Sequence, residues 1–236
     1  TPDVVECIAE TGGELLLVPN GSPFEVGKSD MRIHHAVARV VESGLPLVYL
    51  NQIGGQDELV FDGGSFVMNA DRNLAWQMPA WREDLAITHW GRTGNTWECQ
   101  QGKTCDIENG LSAIYQAMTV GLRDYVNKNG FPGVILGMSG GIDSAISAAV
   151  AVDALGPERV HCVMMPSPYT SQESLEDAQE LAESLKVKLD SINIAPAMEA
   201  FDSMLLQGTN EKPKGVTKEN IQSRSRGLTL MAISNT

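Results

Sequence analysis

Between Gly137 and Ser144 the chain reads Gly-Met-Ser-Gly-Gly-Ile-Asp-Ser, a combination of residue types suited to holding phosphate. The adjacent Gly140 and Gly141 let backbone N–H groups approach a ligand closely, and Ser139 and Ser144 add hydroxyl donors. Asp143 offers a hard oxygen for a magnesium ion. The lysine that completes a G-x-x-x-x-G-K-[ST] loop and reaches the outer phosphates is absent. A cradle of Ser, Gly and Asp without that lysine suits a site that holds pyrophosphate as a leaving group, with attack at the α-phosphorus. Gly137, Met138, Ser139, Gly140, Gly141, Ile142, Asp143 and Ser144 are therefore the candidate phosphate contacts, with Asp143 as the metal ligand.

Positioning such a loop takes a strand before it and a helix after it. Val134 to Met138 is a short apolar run suited to a buried parallel strand, and Ala145 to Ala154 is rich in helix formers up to Gly156-Pro157. A helix N-terminus supplies unpaired N–H groups and partial positive charge, so an anion is the expected occupant. Upstream, Leu111 to Asn129 reads as a helix with Leu111, Ile114, Met118, Leu122 and Tyr125 on one face. Downstream come a strand at Val160 to Met165, a polar helix at Gln172 to Lys186 and a strand at Lys188 to Ile194. This alternation predicts an α/β domain with a doubly wound parallel sheet and ligands at the carboxyl ends of its strands. The words S-G-G-I-D-S resemble the signature of the N-type ATP pyrophosphatases, which adenylate a substrate oxygen and release pyrophosphate. That resemblance makes the phosphates held between Gly137 and Ser144 those of ATP.

The chain has 236 residues, 42% of them hydrophobic and 20% charged, enough for two domains with real cores. A net charge of -13 argues against a nucleic-acid partner, whose footprint is positive charge. No apolar run is long enough to span a bilayer, and neither a secretory leader nor a lipidation motif is recognisable, so no membrane partner and a cytoplasmic location are expected. Cys7, Cys99, Cys105 and Cys162 form no C-x-x-C pair and have no histidine at ligand spacing, which points to reduced thiols. His34, His35, His89 and His161 stand in no triad arrangement.

The N-terminal part reads as a helix around Val4 to Ala9, a strand at Glu14 to Val18 and the turn Pro19-Asn20-Gly21-Ser22-Pro23. Helical spacing of Ile33, Ala36, Val37, Val40 and Val41 marks a helix over Asp30 to Ser43, closed by Gly44-Leu45-Pro46 before a strand at Leu47 to Ile53. Gly54 to Glu58 reads as a polar loop, and Val60 to Met68 with Leu74 to Met78 as a β-hairpin. Residues 86 to 109 lack periodicity and read as a crossing between domains, packed through Trp90 and Trp97. The resulting division is 1–90, a linker at 91–109, and 110–236.

The words V-P-N-G-S-P-F-E and Y-L-N-Q-I-G-G-Q-D-E-L-V-F-D-G-G-S-F-V, with S-G-G-I-D-S downstream, together resemble the glutamine-dependent NAD synthetases. The resemblance implies a nitrilase-like glutaminase, an α-β-β-α sandwich, of which residues 1–90 are the C-terminal part. It also implies that residues 110–236 are the N-terminal part of the ATP pyrophosphatase domain. The glutaminase cysteine, glutamate and lysine of that family match no position here, so the chain looks like an internal fragment. By spacing alone Ser22 is a turn residue and Lys28 a solvated charge; the resemblance makes them the glutamine-binding pair.

Near the end, Thr217 can cap a helix in which Asn220 and Arg224, four apart, share a face beside Ile221, Leu228 and Met231. The pattern E-N-I-Q-x-R, found here at Glu219 to Arg224, implies by resemblance a contact of Asn220 and Arg224 with deamido-NAD. The activity so implied is ATP-dependent amidation of deamido-NAD to NAD with glutamine-derived ammonia, through an adenylate, in a cytoplasmic homo-oligomer using ATP and Mg2+. A GMP-synthetase-like amidotransferase and a non-catalytic nucleotide-binding fragment are the alternatives.

Overall fold

The computed structural model describes residues 4–235, which divide into two compact units at Tyr125 and Val126. The first opens with α1 (Val4–Glu10), β1 (Leu16–Asn20), α2 (Lys28–Ser43) and β2 (Leu47–Asn51). Leu16, Leu47, Tyr49, Phe66 and Met68 meet Ala36 and Val40 of α2 in one buried cluster, with Ile33 and Val37 partly buried against it as the helical spacing predicted; Val41, expected on the same face, is 61% exposed. Gly44, at φ 67, closes α2 with its N–H on the Val40 carbonyl, a left-handed cap that costs glycine little. Next come β3 (Ile53–Gln56), β4 (Leu59–Asp62), β5 (Phe66–Met68) and β6 (Leu74–Gln77), and the main sheet runs β1-β2-β5-β6. Its β1–β2 pair is parallel; β2–β5 and β5–β6 are antiparallel. The β5–β6 pair is the expected hairpin, but its first strand is only Phe66–Met68: the run expected from Val60 breaks at Gly63 and Gly64, both at positive φ, and its start pairs with β3 instead.

Alternation along these strands places apolar residues on both faces. Leu16, Leu47 and Tyr49 turn to α2, whereas Leu17 and Leu50 on the other face are 68% and 58% exposed. That second face is partly covered: Val67, Ala75 and Cys99 form a small cluster with Val48, Trp76 and Trp90. Its hairpin, β7 (Trp90–Thr93) and β8 (Thr96–Cys99), lies in the stretch that showed no periodicity, because four-residue strands give too few alternations to register. Likewise Gly54 to Glu58, expected as a loop, belongs to the β3–β4 hairpin with Asp57-Glu58 at its turn. Two glycines leave no hydrophobic pattern, and Gly55 is needed bare: a Cβ there would sit 3.1 Å from the Gly121 Cα. Gly121 belongs to α3 (Gly110–Lys128), which begins in this unit.

In α3 the buried positions are Ala113, Thr119, Val120 and Val126, while Leu111, Met118 and Tyr125 are exposed, so the face is rotated from the one predicted. Small residues made the burying stripe, which a search for large apolar side chains passes over.

The second unit contains β9 (Val134–Met138), α4 (Ile142–Leu155), β10 (Val160–Met164), α5 (Gln172–Leu185) and β11 (Lys188–Ser191). These are followed by α6 (Ala195–Thr209) and α7 (Val216–Ser234). The strands pair in parallel in the order β11-β10-β9, with Val134 opposite Val160 and Met138 opposite Met164. Helices α4 and α5 touch the strands, burying Ala148, Ala151, Ala178 and Ala182. Val163, Met165 and Ile135 pack instead with Met198 of α6 and with Ile221, Leu230 and Ile233 of α7. The stripe expected on α7 is thus corrected: Ile221 packs inward, but Leu228 and Met231 are 58% and 52% exposed. Buried Ser225 replaces them on the inner face, a polar residue that a hydrophobic pattern does not report. Helix α6 went unread because Ala195-Pro196 at its start resembles a loop; proline in the first helical turn gives up an N–H that has no partner there anyway.

Candidate functional site

The Ser139–Ser144 loop connects the carboxyl end of β9 to the first turn of α4. Gly140 adopts φ 78, and a Cβ on it would lie 2.3 Å from the Ser174 carbonyl oxygen, so both its conformation and its surroundings require glycine. Gly141 is the N-cap of α4 and has no side-chain cap. The backbone N–H groups of Gly140, Ile142, Asp143 and Ser144 have no partner among the described residues, the donor array an anion needs.

The serines brace the loop from within. Ser144 Oγ donates to the Gly141 carbonyl at 2.8 Å and accepts the Ser139 N–H at 3.2 Å. Ser139 Oγ lies 3.0 Å from Ser144 Oγ and accepts the Gly141 N–H at 3.3 Å. With the hydroxyls bonded inside the loop, the free donors are chiefly backbone amides, whereas the sequence suggested hydroxyls aimed at the anion. Asp143 is exposed, and its carboxylate has no partner among the described residues. No group of three or more His, Cys, Asp or Glu able to hold a metal occurs among those residues. A single free carboxylate beside a phosphate cradle fits magnesium shared with nucleotide oxygens and water, the usual way this ion is held.

Beside the loop opens a cavity of about 180 Å³ lined by Gly137, Ser139, Met165, Ser174, Arg226 and Leu230. Helix α7 contributes Arg226 and Leu230 to it at four-residue spacing, and Arg226 Nε donates to the Met165 carbonyl at 3.2 Å. One turn earlier, outside the cavity, Gln222 Nε2 donates to Ser167 Oγ at 2.9 Å. Arg226 was missed from sequence, because Arg224 and Arg226 fall on different faces of α7 and no local pattern says which face meets the cavity. Asn220 and Arg224 are exposed on α7 and do not line this cavity.

In the first unit, Ser22 follows β1 and Lys28 opens α2. No hydrogen bond joins the two; Lys28 Nζ pairs with Glu25 Oε1 at 2.5 Å. Ser22 is fixed by residues that sequence reading did not select. Arg32, buried, donates from Nε to Ser22 Oγ at 3.1 Å and from Nη2 to the Ser22 carbonyl at 2.9 Å. The same guanidinium meets both oxygens of buried Asp62, at 2.7 and 2.8 Å. Asn51, also buried, accepts the Ser22 N–H at 2.9 Å. Trp81, at φ 64, donates its N–H to the Asp62 carbonyl and meets the Phe24 ring edge-on at 5.1 Å.

The thiols and histidines stay outside this chemistry. Burial pushes the Cys162 thiol up to about 11, which leaves it protonated in the core. His161 and Lys188 both contact Asp190 Oδ2 at 2.8 Å, and those hydrogen bonds, Lys188 first, hold the Asp190 carboxyl below its ordinary value.

A parallel sheet with a loop of unpartnered backbone amides at the carboxyl end of β9, beside a cavity, makes the second unit an α/β fold with a candidate anion cradle. Residues 114–236 match the NAD synthase family, and the chain belongs to it. The chain is 48% identical to glutamine-dependent NAD(+) synthetase of Rhodobacter capsulatus over 99% of its length and 42% of the relative's. With the enzyme of the same name from Acinetobacter baylyi it shares 40% identity over 99% of this chain and 43% of that one. A solved glutamine-dependent NAD+ synthetase from Acinetobacter baumannii, in complex with adenosine diphosphate, aligns at a TM-score of 0.91 and 42% identity. That alignment covers 98% of this chain and 43% of the other. The chain thus spans less than half the length of these relatives. Among the described residues no helix is long and apolar enough to cross a membrane.

Proposed function

We propose that this chain belongs to an enzyme that adenylates the nicotinate carboxylate of deamido-NAD with ATP, releases pyrophosphate, and lets ammonia from glutamine displace AMP to give NAD. The observation that carries this reading is the amide-lined loop at the end of β9, backed by 48% identity to a synthetase of that name. A carboxylate oxygen attacks the α-phosphorus as the bond to pyrophosphate breaks; the free N–H groups of Gly140, Ile142, Asp143 and Ser144 take up the charge of the departing group. The hydroxyls of Ser139 and Ser144 turn from each other to the same anion. Asp143 holds the magnesium that arrives with ATP, and the ion supplies charge neutralisation. Orientation and electrostatics supply the acceleration, with no covalent protein nucleophile. Asn220 and Arg224, exposed on α7, are assigned to deamido-NAD.

The first unit is read as the C-terminal part of a nitrilase-like α-β-β-α glutaminase, in which Ser22 and Lys28 bind glutamine. Apolar Leu17 and Leu50 on the sheet face turned from α2 support a sandwich whose second layer lies elsewhere in the protein. Residues 1–90, a crossing at 91–109, and 110–236 as the N-terminal part of a doubly wound pyrophosphatase domain complete the assignment. A homo-oligomer in the cytoplasm is part of the same reading; the four cysteines are free thiols, in keeping with a reducing compartment.

The test is AMP and pyrophosphate release by the full-length protein with magnesium-ATP and deamido-NAD, followed by NAD formation with glutamine or ammonia. Release triggered by xanthylate in place of deamido-NAD overturns the assignment, and nucleotide binding without AMP formation overturns catalysis.

A further inference from the structure

The Ser22 hydroxyl is held in an unusual way for a turn residue. Its oxygen accepts the Arg32 Nε proton at 3.1 Å, and its own proton has no acceptor among the described residues. A guanidinium has donors only, so this proton cannot return to Arg32 and is directed elsewhere. Arg32 in turn cannot swing. It is 7% exposed, both Asp62 oxygens hold its terminal nitrogens, and Nη2 also binds the Ser22 and Pro23 carbonyls at 2.9 and 3.1 Å. Asn51 fixes the same turn from the other side, with Nδ2 on the carbonyls of Ser22 and Gly63 at 3.2 and 3.1 Å.

We propose that Arg32, locked by Asp62, is a positioning residue for glutamine recognition: it occupies the acceptor side of the Ser22 hydroxyl so that its proton is presented to the glutamine carboxylate. This rests on the assignment of Ser22 to glutamine given above. Arginine is specific to the task. Its planar fork serves Asp62 with two nitrogens while a third reaches Ser22, which the single ammonium of lysine cannot do. A fold-holding role alone does not require this, since buried ion pairs are replaceable by apolar residues of similar volume at little loss of stability.

The experiment compares Ser22→Ala, Arg32→Lys and the double variant in the full-length protein, measuring KM and kcat for glutamine. Ser22→Ala is expected to raise KM about tenfold, the size of one charge-assisted hydrogen bond. Arg32→Lys is expected to raise it by a similar factor with kcat within about twofold, and the double variant to be no worse than either single, because both remove one contact. Raised KM in Ser22→Ala with unchanged KM in Arg32→Lys, or factors that multiply to about a hundredfold in the double, overturns the positioning role alone. Unchanged KM in Ser22→Ala overturns the glutamine assignment of Ser22 and the positioning role with it. Should Arg32→Lys not fold, Asp62→Asn keeps the volume and the arginine; it is expected to raise KM with kcat retained, and an unchanged KM there overturns the role.

Discussion

The two candidate sites are built by opposite means. In the second unit the anion cradle is backbone: a left-handed glycine, a capless helix start and amides from one contiguous stretch. In the first unit the Ser22 turn is held by side chains thirty residues apart, a buried Arg32–Asp62 pair and Asn51. Backbone amides can serve a phosphate, whose charge is large and nearly symmetric, whereas a small amino acid calls for individually aimed donors. The first design is vulnerable to a change of conformation, the second to the loss of one partner.

The largest expected effect breaks the backbone design. Gly140→Ala forces a β-carbon against the Ser174 carbonyl at a positive φ and should lower AMP formation by more than about a hundredfold with either nitrogen source. AMP release from deamido-NAD measures it. A variant as active as wild type would show that the loop geometry is not used. Next, Asp143→Asn keeps the loop's shape but removes its free carboxylate, and synthetase activity should drop about a hundredfold with glutamine and ammonia alike, with a higher magnesium requirement. A magnesium titration checks this; an unchanged requirement assigns Asp143 to structure.

Lys28→Ala probes the other design. It should raise KM for glutamine by about ten- to a hundredfold and leave ammonia-driven NAD synthesis near wild type. Equal losses with both nitrogen sources would instead make Lys28, with its Glu25 partner, a support of the fold. The smallest effect lies away from both sites. Because burial holds Cys162 protonated up to about 11, a maleimide at pH 8 should label exposed Cys7 and leave Cys162 unmodified until the protein is unfolded, which peptide mapping reads directly. Rapid labelling of Cys162 in the native state would contradict its burial.

How much was legible follows the same division. The strand at Val134 to Met138 and the loop after it lay at their expected positions, because an apolar run, two glycines and a helix start are local signals. Helix α2 and its glycine stop were legible for the same reason. The hairpins β3–β4 and β7–β8 were not, since short strands and bare glycines carry no period. On α3 and α7 the helices were foreseen but their inner faces were not, because Ala113, Val120 and Ser225 are inward by packing and Leu228 and Met231 outward.

By itself, then, the sequence determined the strand–loop–helix, its lack of a phosphate-reaching lysine and the alternation that makes a parallel sheet, all consequences of neighbours along the chain. The tertiary structure alone decided that Arg32, Asp62 and Asn51 converge on Ser22, and that Arg226 rather than Arg224 faces the cavity beside the loop. The physical reason is that a buried charge persists only where another part of the chain delivers its counter-charge, and no local pattern records which part that is.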